Sequence, residues 1–261
     1  MTQTQTSQGQ RAVVTGASTG IGRAIARELV QRGYDVVVAA DEAEIQQAAA
    51  ELGATPVQVD LATAAGVEEL HQRASAAGPI DVLVLNAGVG VSGRFDKTAL
   101  ADQLNLVDLN VRSTVHLAHL VLGEMTARGA GRVLVTSSIA AVAPGPYHAT
   151  YAASKAFVHS FAEGIREEFK DTGVTITSLM PGPTDTEFFA RADMEDTKIG
   201  QMDDKDDPQD VARDGVDALL KGRPSVVAGS FKNRIQAELG THLPDALANP
   251  IFARMTKPSG E

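Results

Sequence analysis

The chain has 261 residues, 43% hydrophobic and 21% charged, the balance of an ordinary globular protein long enough to bury a full core. A net charge of −10 argues against contact with a phosphate backbone, which needs clustered Lys and Arg, so no nucleic-acid partner is expected. Cysteine is absent, which removes disulfides and thiolate metal sites and fits a cytoplasmic setting; no apolar run approaches the roughly 20 residues of a membrane span, so no membrane partner is expected.

Residues 1–10 are polar, without the apolar centre of a signal peptide, and are expected to be a disordered lead. Regular patterning then runs over 11–229 without a linker. Residues 12–15 are a short β-branched strand, followed by the glycine-rich stretch Thr15 to Gly22 and a helix with Ile21, Ile25, Ala26, Leu29 and Val30 on one face. Strand, glycine loop and helix in that order open a dinucleotide-binding unit. Gly16 can make the tight turn, Gly20 can let a pyrophosphate approach the backbone, and Gly22 can let helix and strand pack closely. The free N–H groups of the helix start then face the phosphates. Residues 35–40 form a second strand with near-continuous apolar content, and Asp41 follows it. An acid at that place takes ribose hydroxyls or caps a helix over 42–52; both readings stand.

A third strand (55–59) ends at Asp60 and Leu61, and a helix covers 63–77. A fourth strand (81–85) leads into Asn86, Ala87 and Gly88, small residues that would let the chain approach a ligand or simply turn. Residues 98–128 read as a long, mostly helical region, with Asn110 at an interior position its side chain disfavours. A fifth strand (132–137) precedes Ser138, and a helix over 150–171 carries Tyr151 and Lys155, four apart and so on one face. A free tyrosine has a pKa of roughly 10, and lowering it by about 2–3 units needs roughly 3–4 kcal/mol. An ammonium about 4 Å away supplies roughly 4 kcal/mol at an effective dielectric of about 20. The pair can therefore make a proton donor and acceptor. A sixth strand (173–180) closes on Pro181 and Gly182, and residues 225–228 are a candidate seventh. Strict alternation of strand and helix predicts an α/β, Rossmann-type, doubly wound parallel sheet of about seven strands in a single domain. Gly16, Asp41, Asp60, Asn86, Ser138 and Pro181 all fall at the carboxyl edge of that sheet, where such folds bind ligands.

These motifs together, in this order, resemble the short-chain dehydrogenase/reductase family over about residues 10–228. The glycine loop from Thr15 to Gly22, Asn86-Ala87-Gly88, the quartet Asn110, Ser138, Tyr151 and Lys155, and Pro181-Gly182 with Thr186 carry the resemblance. It implies hydride transfer between a nicotinamide cofactor and a secondary alcohol or ketone, without a metal. It also implies roles. Tyr151 is the general acid and base, Lys155 lowers its pKa and holds the nicotinamide ribose, Ser138 orients the substrate oxygen, and Asn110 positions a water. Cofactor contacts are implied for Gly16, Ser18, Thr19, Gly20, Ile21, Asp41, Asp60, Leu61, Asn86, Ala87, Gly88, Tyr151, Lys155, Pro181, Gly182, Thr184 and Thr186.

Two departures from the family pattern matter. The usual ribose-binding acid position falls on Ala40, with Asp41 one place later; an acid there, with no Arg at 19 or 41, favours NAD(H) over NADP(H). The family's glycine-rich ending is replaced by residues 230–261, of which 231–255 read as a polar-amphipathic helix broken at Pro244 and Pro250, which puts tetramer contacts there in question. The apolar faces of 99–127 and 150–169 still favour a homodimer or homotetramer built on a helix pair. Residues 186–205 are expected to form a mobile lid, and Ser138, Tyr147, Tyr151 and Phe188 to contact substrate. Tyr147, Phe188, Phe189 and Met194 suit an apolar, aromatic or acyl-chain carbonyl, or else close the lid on its own core; His148 is assigned to a loop. Asp207 and Pro208 mark a helix start after a solvated turn. The alternative function is a catalytically silent NAD(P)-binding sensor or scaffold on the same fold.

Overall fold

The computed structural model describes residues 9–229 and 245–258. All but the last two residues of the expected N-terminal lead, and the stretch 231–244 of the expected C-terminal helix, lie outside the described residues.

Seven strands form one parallel sheet: β1 (Arg11–Thr15), β2 (Asp35–Ala40), β3 (Thr55–Gln58), β4 (Ile80–Leu85), β5 (Gly131–Thr136), β6 (Val174–Pro181) and β7 (Ser225–Ala228), in the order β3-β2-β1-β4-β5-β6-β7. Parallel strands need crossovers, so helices cover both faces and the strands are apolar on both sides. Val13, Leu83, Val133 and Ile176 bury on one face, while Ala12, Val14, Val82, Leu134 and Leu179 bury on the other. The first face is covered by α3 (Ala64–Ser75) through Val67 and Leu70, by α5 (Ser113–Arg128) through Leu117, Val121 and Met125, and by α6 (Ala149–Phe169) through Val158. The second is covered by α1 (Gly20–Gln31) through Ile25 and Leu29, by α2 (Glu44–Leu52) through Ile45, and by α8 (Pro208–Leu220) through Val211, Val216 and Leu219. Each such side chain contributes about 1.5–3 kcal/mol on full burial. The strand order reverses between β1 and β4, which opens a crevice at their carboxyl ends.

Several elements differ from the sequence expectation. The mostly helical region over 98–128 is built of three consecutive pieces, a division the sequence did not indicate: α4 (Leu100–Val107), a π-helical turn (Asp108–Arg112) and α5. Asn110 causes the break by taking both its amide ends to the backbone of Val89 (2.9 and 3.0 Å). The hydroxyls of Ser113 and Thr114 then donate to the carbonyls of Leu109 and Asn110. Helix α2 begins at Glu44 with Ala43 at its N-cap, so Asp41 does not cap it. Thr63 caps α3 by accepting from Gly66 N–H, and Asp207 caps α8 by accepting from Gln209 N–H ahead of Pro208.

Between β6 and α8 the chain makes a lobe holding α7 (Phe188–Arg191). Its ends are clamped where Asp185 N–H donates to Asp206 C=O and Asp206 N–H to Pro183 C=O, both 2.9 Å. Phe189, Ala192 and Met194 bury against Phe188 and Ile199 as a small core of the lobe itself. A last helix, α9 (Asp245–Thr256), contains Pro250 rather than ending there. No helix among the described residues is long and apolar enough to cross a membrane.

Candidate active site

A cavity of about 380 Å³ lies along the carboxyl edge of the sheet, between the β1–α1 loop, the ends of β2 to β6, α7 and α9. Several strand ends run straight into small or polar residues that line it: Gly16 after β1, Asp41 after β2, Asn86, Ala87 and Gly88 after β4, Ser137 and Ser138 after β5, and Gly182 after β6.

At one end the β1–α1 loop is built for close approach. Gly16 has φ 64, and a Cβ on it would lie 2.8 Å from Ala87 Cα. Asn86 locks the loop from behind, donating from Nδ2 to the carbonyls of Thr15 (3.0 Å) and Gly16 (3.2 Å). Helix α1 starts without a side-chain cap and without an acid in its first turn, and Gly20 and Ile21 line the cavity. Its N–H groups and positive dipole end are thus left for an anion. That combination fits the pyrophosphate of a dinucleotide. Asp41, Asp60, Leu61, Ala87 and Gly88 also line the wall, with Ser18 and Thr19. The Asp41 side chain is exposed and bonds none of the described residues. Its neighbour Glu42 accepts from Ser18 Oγ (2.5 Å) and pairs with Arg191 of α7, so three separate elements meet at this end.

The middle of the cavity holds the titratable pair. Tyr151 and Lys155 project from the first turns of α6, and Ser138 closes β5 and caps a short 3-10 turn, its Oγ accepting from Ala140 N–H (3.1 Å). The Ser138 side chain also stands near the Tyr151 hydroxyl, where it favours the phenolate. Lys155 is buried, donates from Nζ to Thr136 C=O (3.0 Å), and lies 5.7 Å from the centre of the Tyr151 ring. Burial, not the ammonium, dominates both groups. It pushes the Tyr151 phenol up to about 12, against the opposing effect of nearby Ser138, and drives Lys155 down to about 8. Burial thus opposes the lowering expected from the Tyr/Lys spacing.

Asn110 does not line the cavity. It sits behind Gly88 and Val89, buried, and also donates from Nδ2 to Ser154 Oγ (3.0 Å), which ties the π-turn to α6. Tyr147 is absent from the wall as well. Its backbone is left-handed at φ 63 and its carbonyl accepts from Gly93 N–H (2.7 Å), and that turn presents His148 to the cavity instead. The His148 ring lies 6.1 Å from that of Tyr151, its Nδ1 has no partner among the described residues, and burial lowers its pKa. Pro181, Gly182, Thr184 and Thr186 line the wall below α7, and Phe188 stacks obliquely on Tyr151 at 5.2 Å. Phe189 and Met194, which pack the lobe's own core, reach the same wall, so the two readings of these residues hold together. Sequence reasoning missed Glu42, Arg191, His148, Phe252, Met255 and Thr256. Only the Phe252/Met255 spacing, one apolar stripe of a helix, carried a readable signal.

The family model described as short chain dehydrogenase matches residues 10–197. An uncharacterized oxidoreductase of Staphylococcus aureus is 32% identical over 215 residues, covering 80% of this chain and 90% of the relative. Among solved structures, a short-chain dehydrogenase from Sphingobium yanoikuyae in complex with NADPH is 26% identical, with a TM-score of 0.76, covering 84% of this chain and 87% of that one. An alcohol dehydrogenase from the archaeon Thermococcus sibiricus complexed with 5-hydroxy-NADP is also 26% identical, with a TM-score of 0.71, covering 85% and 97%.

Proposed function

Since the chain belongs to the short-chain dehydrogenase family, we propose that it transfers a hydride between a nicotinamide cofactor and a secondary alcohol or ketone, with Tyr151 as general acid and base. The observation that carries this reading is one cavity wall that brings Ser138, Tyr151 and Lys155 together with the uncapped start of α1.

When bound, the cofactor supplies or accepts the hydride and, in its oxidised form, brings a positive charge into the cavity. The protein's own part is proton handling. With its pKa near 12, Tyr151 enters as a protonated donor, ready to give its hydroxyl proton to a carbonyl oxygen during reduction. Ser138, beside it on the same wall, orients the substrate oxygen toward that hydroxyl. Lys155, with a pKa near 8, exchanges its own proton near neutral pH while Thr136 C=O fixes its position. Asn110 acts through others, by setting the Gly88–Val89 backbone and Ser154. Val89, Phe188 and Phe189 exclude water from this region.

NAD(H) is the cofactor we favour. Asp41 places an exposed carboxylate at the β2 end, where a ribose phosphate would be repelled, whereas Glu42 beside it is paired with Arg191. The Sphingobium yanoikuyae relative was solved with NADPH, so the preference rests on Asp41 of this chain. Titration with NADH and NADPH, following each cofactor's fluorescence, is expected to show NADH binding about tenfold or more tighter. Tyr151→Phe should keep that binding and lose about 10²–10⁴-fold in turnover. Full turnover by the Phe variant would refute the mechanism.

A further inference from the structure

Helix α9 lies beyond residue 197, where the family match ends, and it folds back over the catalytic cavity. Two hydrogen bonds hold it. Thr256, 2% exposed, donates from Oγ1 to Pro146 C=O (2.7 Å), on the loop that presents His148. Ile199 N–H, in the lobe after α7, donates to Met255 C=O (3.0 Å). The helix is therefore pinned to both sides of the cavity at once. The neighbouring face of α9, with Asn249, Pro250 and Ala253, lies across a groove from Ala149, Ala152, Ala153 and Ala156 of α6, whose methyl side chains allow close approach.

Phe252, Met255 and Thr256 fall at i, i+3 and i+4 and share one face of the helix. All three line the cavity that holds Tyr151, and the Thr256 hydroxyl is already committed to the carbonyls of Pro146 and Phe252. Among the described residues, the roof thus presents a phenyl ring and a thioether, with its one hydroxyl donor already engaged. Val142, Ala143 and Phe188 line the same cavity.

We infer that α9 is the roof of the substrate site, and that Phe252 and Met255 select compact ketones and secondary alcohols with an apolar body. This deepens the hydride-transfer reading and rests on it. A polyhydroxylated substrate would press hydroxyls against these two side chains, which offer them no hydrogen-bond donor. A substrate with a larger apolar body would meet the phenyl ring, and shortening that ring admits it.

The test uses the full chain with NADH and two ketones, acetophenone and 2-acetylnaphthalene. Wild type is expected to favour acetophenone in kcat/KM. Phe252→Ala and Met255→Ala are expected to move the ratio about tenfold toward the naphthyl ketone, with NADH affinity unchanged within about twofold. Binding is read apart from turnover, by saturation-transfer NMR on the NADH-saturated protein. A shift in binding selectivity without any turnover keeps the roof and sinks the hydride-transfer reading. Selectivity unmoved by either variant overturns the roof, and wild type binding neither ketone overturns the apolar substrate class. Hydrogen exchange gives a readout independent of ligands. The Ile199 amide is expected to exchange at least about tenfold slower than an unstructured amide, and exchange at the unstructured rate overturns the docking of α9.

Discussion

Burial sets the protonation states at the reacting centre, and it acts on Tyr151 and Lys155 in opposite directions. Burial favours the neutral form of each: the phenol, pushed up to about 12, stays protonated at pH 7, whereas the amine, drawn down to about 8, is still mostly an ammonium there and loses its proton just above neutrality. His148 follows the same rule. Its pKa is lowered from 6.5, so it is a neutral imidazole at pH 7 and does not compete with Tyr151 as an acid. The lysine shift carries a stability consequence. An unfolded chain keeps the Lys155 proton up to its ordinary pKa of 10.5, whereas the folded protein releases it near 8. Between those values the unfolded state binds more protons, so stability rises with pH across that window, and the penalty of the buried ammonium is complete below it. Lys155→Met removes this term. In urea unfolding, the stability of the Met variant relative to wild type is expected to be greatest at pH 7. It should then shrink by roughly 3 kcal/mol as pH rises to 10.5. Tyr151 works the other way, losing stability between about pH 10 and 12, but it is present in both proteins and cancels in the difference. A difference that stays flat with pH would mean that the Lys155 ammonium is hydrated in the folded protein.

The β1–α1 loop, α1 and the β4 end behave as one unit because backbone meets backbone there. A Cβ on Gly22 would overlap the Gly16 carbonyl and the Asn86 amide, and the first of these cannot move without reshaping the loop. Gly22→Ala is therefore expected to cost about 3 kcal/mol, a fall in Tm of roughly 6–10 °C, and to weaken NADH binding by more than the lost stability explains. Differential scanning calorimetry and fluorescence titration check the two halves. This unit was readable in the sequence, since glycine spacing and strand-end residues act locally. So was the approach of Ser138 to Tyr151 and Lys155, because strand β5 and helix α6 are both set by short-range patterning. What was not readable depends on distant partners. The π-turn at Asn110 exists because its amide finds Val89, 21 residues away. Glu42 meets Arg191 across 149 residues. Tyr147 and His148 exchange roles through a single left-handed residue, which no apolar periodicity encodes. The composition of 231–255 indicated a helix but not where its apolar stripe would dock.

At the scale of the whole molecule, one surface is out of keeping with a protein that stands alone. Leu100, Leu104 and Val107 are 68%, 54% and 39% exposed, and their i, i+4, i+7 spacing makes them one stripe on α4. Helix α4 packs against α6, which carries Phe157, 43% exposed and stacked on Phe161 at 6.2 Å. Isolated exposed hydrophobics are ordinary, but a stripe beside a stacked aromatic pair on an adjoining helix is a contiguous patch of the kind that marks association. A second copy is the partner we expect, since a stripe on two neighbouring helices is suited to a two-fold interface in which each patch covers the other. The consequence reaches the active site, because Tyr151 and Lys155 stand on the helix that would be held from outside. Leu104→Asp with Phe157→Asp puts two charges into each half of that interface. Sedimentation equilibrium is expected to give a dimer or larger for wild type and a monomer for the double variant, with turnover falling as α6 loses its support. A wild-type protein that sediments as a monomer at micromolar concentration would remove the interface, and would leave the patch to some other partner.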